Sequence, residues 1–266
     1  SANSLPVSLE HAEEVRQRYE AIPSFPGKKA GVGMALVMQS MRLGANVPDD
    51  STQGLEWKPD GSVLIHLGAP DMGQGLVMAA EQITAEVMEL PYELITSTDL
   101  DTSISPNGNV TCASRMTYMV GNTLVDAGNH LKTKMLEQAA RMLNCDQEAL
   151  TYSRGNVNTT EGDEIAVKEI ISRAADDGII LRSESTFSFP YPEETPPQSK
   201  SIGTPHALFC FGSQIARVEV DPELGTVDVT HLTAVHDVGR IISRTGVEGQ
   251  IEGGGAMGIG YALFEN

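Results

Sequence analysis

Three short stretches of this 266-residue chain deliver small residues into the start of a helical pattern: 68-GAPDMGQGL-76, 107-NGNVTCAS-114 and 246-GVEGQIEGGG-255. A helix start carries backbone N–H groups with no partner inside the helix, and the aligned peptide dipoles make that end positive. Such an end can take a phosphate or a carbonyl-rich ligand without any basic side chain. The plainer reading is that the glycines only shape turns. Each stretch taken alone leaves both readings open.

The last stretch also holds a formal G-x-G-x-x-G at Gly253, Gly255 and Gly258. A dinucleotide fold places such glycines after a buried strand, at the opening of a helix, with an acidic residue about 20 positions on. Here Glu248, Gln250 and Glu252 alternate with Val247, Gly249 and Ile251 ahead of them, and only eight residues follow Gly258. A nicotinamide site fits poorly. Ile259, Tyr261, Ala262, Leu263 and Phe264 point to a helix whose glycines let backbone or ligand come close. Other reactive side chains read as structural. His66 and His231 lie inside strand patterns, His236 and Asp237 point to opposite faces of a strand end, and Cys112 has no histidine near it in sequence.

The elements that must position these turns follow from periodicity. Ser8 can cap a helix over 9–21, with Glu10, Glu13 and Glu14 early and Arg16 and Arg18 late. Strands are expected at 29–41 and 62–69, the second after the turn Pro59-Asp60-Gly61. Leu76, Ala80, Ile83, Val87 and Leu90 mark a helix from Gly73 to Leu90, which Pro91 ends. A strand follows near 93–98. Val120, Leu124, Ala127, Leu131, Met135 and Met142 mark a long helix within 111–143, with Gly121 placed for tight packing. A strand near 151–158, a helix over 166–176 and a strand near 180–188 come next. Residues 207–221 and 226–236 read as a hairpin whose alternation of Ile215, Arg217, Val218, Glu219 and Val220 predicts one exposed face. A helix over 246–265 closes the chain.

This order gives an α+β fold of two lobes, each a mixed or antiparallel sheet packed with helices. The expected divisions are a helix and lead-in at 1–28, a first lobe at 29–189 carrying two of the turns, a proline-rich connection at 190–206, and a second lobe at 207–266, truncated, made of the hairpin and helix.

Composition narrows the function. The formal charge is −18, with 18 basic against 36 acidic residues, which excludes a basic phosphate-binding surface and so argues against nucleic acid. Cys112, Cys145 and Cys210 lie far apart, signalling neither zinc nor a disulfide framework and fitting a reducing cytoplasm. No apolar run approaches 18 residues, so no membrane span is expected. The chain lacks an initiator Met, and its last helical pattern reaches Asn266 without a capping glycine; both features predict a processed or excised piece, or one subunit of an assembly.

Five motifs then stand in register: D-M-G-Q-G-L at 71–76, T-C-A-S-R at 111–115, F-G-S-Q-I-A-R-V-E-V-D at 211–221, A-V-H-D-V-G-R at 234–240 and E-G-Q-I-E-G-G…G-I-G-Y-A-L-F-E at 248–265. Over most of residues 29–266 they resemble the molybdenum-cofactor-binding region of the xanthine dehydrogenase/aldehyde oxidase family. The resemblance implies a molybdenum–molybdopterin cofactor, with or without a cytosine dinucleotide extension. It implies that Met72, Gly73, Gln74 and Gly75 hold the pterin or its phosphate through backbone and amide groups. Thr111, Cys112, Ala113 and Ser114 would lie against the cofactor, with Ala113 nearest the substrate space, and Gln250 would add a further contact. No catalytic residue and no protein ligand to the metal is expected in this chain.

The parent enzyme, by that resemblance, hydroxylates a carbon of a xanthine-like N-heterocycle or an aldehyde. Electrons leave to a 2Fe-2S protein and often an FAD flavoprotein, carried on partner domains or subunits, and a second molybdenum-domain segment is a further partner. The family's general-base glutamate belongs to a segment beyond residue 266, so no glutamate here inherits that role, Glu265 included. The isolated chain is expected to be inactive. Two positions depart from the family pattern: relatives usually have Gln where Met257 stands, and Asn-Pro where Ser243-Arg244 stands. Those departures keep open a noncatalytic binding or assembly module with the same fold that has lost the cofactor.

Overall fold

The structure, a computed structural model, describes residues 4–44, 47–190 and 206–265, with side chains from residue 10 onward. In chain order these form α1 (Ser4–Glu20), β1 (Lys29–Ser40), β2 (Asp50–Trp57), β3 (Val63–His66), α2 (Leu76–Met88), β4 (Ile95–Ser97), α3 (Met116–Leu143), β5 (Leu150–Ser153), β6 (Asn156–Thr159), β7 (Glu164–Ala166), α4 (Val167–Asp176), β8 (Arg182–Ser188), β9 (Phe209–Val220), β10 (Val227–Asp237) and α5 (Arg244–Leu263). The chain divides into two compact units, residues 1–41 with 206–266 and residues 42–205. Most of the connection expected at 190–206 lies outside the described residues.

In the first unit β9 is the middle strand of a three-stranded antiparallel sheet, order β1-β9-β10. β1 pairs with it along its whole length, from Lys29↔Val220 to Ser40↔Phe209. Residues 29–41 therefore belong with the hairpin, and the expected 29–189 lobe is corrected to begin at 42. Periodicity locates a strand but says nothing about which distant strand it will pair with. Ala12 and Tyr19 of α1 pack on Ile215, and the Tyr19 hydroxyl bonds Thr233 Oγ1.

The hairpin's charged residues also sit otherwise than alternation suggests. Arg217 and Glu219 are buried on the same face as Ile215, where the two charges pair at 2.8 Å. Arg217 further donates to Thr230 Oγ1 at 2.9 Å and to the carbonyls of Ile22 and Pro23 at 3.1 and 3.2 Å. A charge pair can be buried when its hydrogen bonds are made inside the protein.

The second unit is built on a four-stranded sheet, order β4-β3-β2-β8, in which only β3 and β4 run parallel. Its inward side chains Leu55, Trp57, Val63 and Ile65 share one core with Leu76, Ala80 and Met88 of α2, Val120, Leu124, Leu131 and Met135 of α3, and Ile170 of α4. Gly121 and Gly128 of α3 let α2 come close: a Cβ on Gly121 would stand 3.1 Å from Ile83 Cδ1, and one on Gly128 2.6 Å from Val87 Cγ1. The expected strand at 151–158 is a hairpin, β5 and β6, turned at Arg154 (φ 47) and Gly155 (φ 78). The expected strand near 93–98 opens with a 3-10 turn at Tyr92–Leu94 before β4.

Sequence periodicity does not reveal β2, although it is central. Two of its inward residues, Ser51 and Gln53, are polar and fully buried, which hides the apolar alternation a strand usually shows. Those polar groups are what tie the turns described next to the sheet.

Candidate functional site

The Met72–Gly75 turn is closed from within. Asp71 Oδ1 accepts the N–H groups of Gly73 at 2.8 Å and Gly75 at 3.2 Å, and Oδ2 accepts that of Val77 at 3.0 Å. Gln74 folds back on the same turn, its Oε1 accepting from Met72 N at 2.5 Å and its Nε2 donating to the Pro70 carbonyl at 3.0 Å. Gly73 and Gly75 both have positive φ, 102° and 80°, which aims their amides at one carboxylate. Burial pushes the Asp71 carboxyl up, and the N–H bonds from Val77, Gly73, Gly75 and Leu76 outweigh it, leaving the group below its ordinary range. Its contribution to stability is therefore complete above the usual aspartate value of about 3.9 and is lost as pH falls through the lower folded one.

The Thr111–Ser114 turn is held from behind. Ala113 and Ser114 both adopt left-handed φ, 51° and 50°, a conformation that strains residues with a Cβ and persists only where neighbours enforce it. The enforcing groups are buried. The Ala113 carbonyl accepts from Arg42 N at 2.7 Å. Fully buried Arg115 donates Nε to Asp49 Oδ1 at 2.8 Å, Nη1 to the carbonyls of Gly108 and Val110 at 3.1 and 2.7 Å, and Nη2 to the carbonyl of Asp50 at 2.7 Å. Asp49 also accepts from Arg42 Nη1 at 3.3 Å and from Leu43 N at 3.2 Å. The Arg42 guanidinium lies 3.2 Å from the centre of the Phe189 ring. Cys112, Ala113 and Ser114 are left exposed at the surface of this network.

The segments leading into these two turns cross at Gly68 and Gly108. Gly108 N donates to the Gly68 carbonyl at 3.0 Å and Thr52 N to that of Asn107 at 3.0 Å, while Gln53 Oε1 accepts from Gly68 N at 2.7 Å. The crossing has no spare room: a Cβ on Gly108 would lie 2.3 Å from the Gly68 carbonyl oxygen. In contrast, nothing stands within 4 Å of where a Gly73 Cβ would be, and Met72 is 70% exposed. The outer faces of both turns are thus open to a ligand while their roots are fixed to β2.

The helix starts differ in a way the sequence conceals. α2 meets the carboxylate of Asp71, and α5 is capped by Ser243, whose Oγ accepts from Gly246 N at 3.2 Å. α3 begins at Met116, and Arg115 ahead of it provides no side-chain cap. Of the two readings left open for these stretches, protein oxygens take up N–H groups at the starts of α2 and α5. Ser243→Ala is expected to lower the chain's stability by about 1 kcal/mol, read from the urea midpoint.

Gln250 belongs to the other unit, exposed on α5. Gly253, Gly255 and Gly258 lie inside that helix and not in a loop before it, so they make no phosphate-binding turn. A Cβ on Gly255 would come within 2.9 Å of Leu232 Cδ2, which gives that glycine a packing role. His66 bonds Glu56 Oε2 at 2.9 Å, and the His231 ring packs tilted against that of Tyr19 with centroids 5.0 Å apart. Sequence reasoning gives Asp49, Gln53, Asp71 and Arg115 no role. Asp71 and Arg115 are the first and last residues of two of the quoted motifs, and their adjacency to turn glycines and small residues is the available signal.

The chain is thus two α+β units, and the second presents the exposed residues Met72, Gly73 and Cys112–Ser114 on a buried polar frame. Residues 8–266 match the family described as "Molybdopterin cofactor-binding domain", and the chain belongs to that family. The xanthine dehydrogenase molybdenum-binding subunit of Escherichia coli O157:H7 is 29% identical over 269 residues, 98% of this chain and 34% of that protein. The 6-hydroxypseudooxynicotine dehydrogenase complex subunit gamma of Paenarthrobacter nicotinovorans is 28% identical over 241 residues, 90% of this chain and 29% of that protein. The aldehyde oxidoreductase from Desulfovibrio gigas shares the fold with a TM-score of 0.78 at 23% identity, covering 99% of this chain and 27% of that one. The chain thus spans about a third of the length of the curated relatives it matches. No helix of the described residues is long and apolar enough to cross a membrane.

Proposed function

We propose that this chain forms part of the molybdopterin-cofactor cradle of a molybdenum hydroxylase acting on a xanthine-like N-heterocycle or an aldehyde, and that it is inactive by itself. The carrying observation is that the segments leading into the Met72–Gly75 and Thr111–Ser114 turns cross at Gly68 and Gly108, with Met72, Gly73, Cys112, Ala113 and Ser114 exposed. The relatives named as a molybdenum-binding xanthine dehydrogenase subunit and a dehydrogenase complex subunit support the class, and their names support partner subunits. The proposed partners are the remaining molybdenum-domain segment, a 2Fe-2S protein and an FAD flavoprotein, in the cytoplasm.

The donor set suits a pterin. A pterin edge offers neutral donors and acceptors, and the turns present an amide, backbone groups and small side chains in place of lysine or arginine. When bound, the molybdenum cofactor supplies the redox chemistry. The chain's own residues bind and orient. Gln74 has one Nε2 hydrogen beyond the bond to Pro70, and Met72 offers an exposed apolar side chain. Gly73 and Gly75 let a ring approach the backbone, and Thr111, Cys112, Ala113 and Ser114 form a low wall beside the substrate, with Ala113 the least obstructive. Gln250 adds an amide contact.

Expression of the chain with its partner segments should give near-stoichiometric molybdenum and pterin by metal and fluorescence analysis. Gln74→Ala should lower both several-fold while costing only about 1–3 kcal/mol of stability, the worth of its two turn hydrogen bonds. Metal-free wild-type assembly, or turnover of heterocycle or aldehyde by the isolated chain with a dye acceptor, would sink the proposal. The second reading, a noncatalytic module of the same fold, draws on Met257, which is 72% exposed where relatives usually carry Gln; stoichiometric metal excludes it.

A further inference from the structure

β1 is an edge strand without the usual protection of an edge. It runs 12 residues from Lys29 to Ser40 and pairs on one side with β9, with no register shift, while among the described residues no strand pairs with its other side. In an antiparallel strand about half of the residues turn N–H and C=O groups away from the partner, which leaves an open row of donors and acceptors roughly 40 Å long. From Ala30 to Ser40 the strand has no charged residue and no proline. Its apolar side chains stand out on both faces. Met34, Leu36 and Met38 lie on the face of Ile215 and Val37 on the other, and all four are exposed, Leu36 by 54% and Met38 by 60%. α1 and its neighbours pack against Val32 on the Ile215 face and leave the other three uncovered.

The remaining sheet edges of the described residues are guarded. β10 carries Asp228, His231 and Asp237, is bulged between Val229 and His231, and has α1 and α5 against it. β8 carries Arg182 and Glu184, and β4, β5 and β7 are only three or four residues long. Charges, bulges and shortness are what keep a sheet edge from recruiting other chains. β1 lacks all three, and its apolar residues on both faces suit a strand with a neighbour on each side.

We propose that β1 receives an extended strand of the remaining molybdenum-domain segment, which pairs along its open edge, becomes the fourth strand of the sheet and covers Met34, Leu36, Val37 and Met38. The choice of occupant rests on the function proposed above; the open edge does not. Two observations favour that occupant. The matched regions fill only 29% and 34% of two relatives, so most of such a protein is left to supply the strand. A second copy of this chain would bring together two molecules of formal charge −18, which repel. With no charge on β1 to pair, the incoming strand is apolar at the alternate positions opposite Met34, Leu36 and Met38.

The test compares amide exchange of β1 in the isolated chain and in the protein assembled by co-expression with the remaining molybdenum-domain segment. Amides within 30–40 that face away from β9 should exchange freely in the isolated chain and slow by roughly 100-fold or more on assembly. Leu36→Lys combined with Met38→Lys puts charges on the edge, so assembly should weaken by about tenfold or more while the urea midpoint of the isolated chain stays near that of wild type. Ile180→Lys, also at an exposed apolar residue but in the second unit, should assemble as wild type. Unprotected β1 amides in the assembled protein overturn the proposal, as does wild-type assembly of the double variant or an equal loss in Ile180→Lys. A dimer of this chain as the assembled species, with β1 protected in it, gives the edge to a second copy and overturns the proposal too. If the double variant does not fold, the exchange measurement on the wild-type protein decides alone. An assembly with β1 protected but without molybdenum counts against the cofactor reading and leaves the strand addition standing.

Discussion

Arg115→Ala is expected to cost the second unit about 3–5 kcal/mol, the range for removing one partner of a buried ion pair. The Arg115 and Asp49 side chains are 0% and 1% exposed, and the guanidinium satisfies four acceptors at once: Asp49, Gly108, Val110 and Asp50. Removing it orphans three backbone carbonyls in addition to weakening the charge pair, and each such loss inside a protein is costly. Domains of this size are stable by only about 5–15 kcal/mol, so the variant should unfold at markedly lower urea. Arg115→Lys should recover little, because an ammonium is a point charge and cannot reproduce a planar fork that reaches opposite sides of a loop.

Asp49→Ala is expected to be at least as damaging. It leaves two buried guanidiniums, those of Arg42 and Arg115, with the carboxylate between them gone. Because the two substitutions act on one interaction, the double variant should lose less than the sum of the singles, with a coupling of about 1–3 kcal/mol. Hydrogen exchange locates the effect: amides of 107–114 should lose protection before those of α3. A loss below about 1 kcal/mol in Arg115→Ala, or strict additivity in the cycle, would mean that the turn holds its left-handed residues by some other means.

That network also explains which parts of the site can be read from the sequence. The turns themselves are visible, because glycine, small residues and a following helical pattern are local signals. So are α2, α3, α5 and the β9–β10 hairpin, whose lengths carry several repeats of one period. What holds the turns is not visible. Asp49 and Arg115 lie 66 positions apart, and Gln53 reaches Gly68 from a strand whose inward face is half polar. Charged residues such as Arg217 and Glu219 are read as solvent-facing because burial of a single charge is prohibitive, and nothing local shows that the two pair with each other and that Arg217 also donates to two carbonyls. β1 illustrates the same limit for topology: its alternation is plain, yet its partner is a strand about 180 positions away. Periodicity reports the face of an element, whereas pairing, capping by Asp71 and polar burial are set by residues that meet only in the folded chain.

Gly68→Ala and Gly108→Ala should each destabilise the crossing by about 1–3 kcal/mol or more, the usual penalty for overpacking, and should separate the two turns. The obstruction is backbone on every side. A Cβ on Gly68 would stand 2.4 Å from the Pro106 carbonyl oxygen and 2.9 Å from both Gly108 N and the Thr52 carbonyl oxygen, and one on Gly108 would stand 2.7 Å from the Gly68 carbonyl carbon. No side chain can rotate aside to relieve such contacts. Neither glycine has the positive φ that would disfavour alanine by itself, so the whole effect is steric. Gly33→Ala makes the matching control, since its Cβ would meet nothing within 4 Å and its φ is likewise ordinary; it should stay within about 0.5 kcal/mol of wild type. Because the Gly108 N–H bond to the Gly68 carbonyl joins the segments that lead into the two turns, the two damaging variants should also lose molybdenum from the assembled protein in step with each other. A Gly68→Ala chain with wild-type stability and full cofactor would show that the crossing is not what brings the turns into one site.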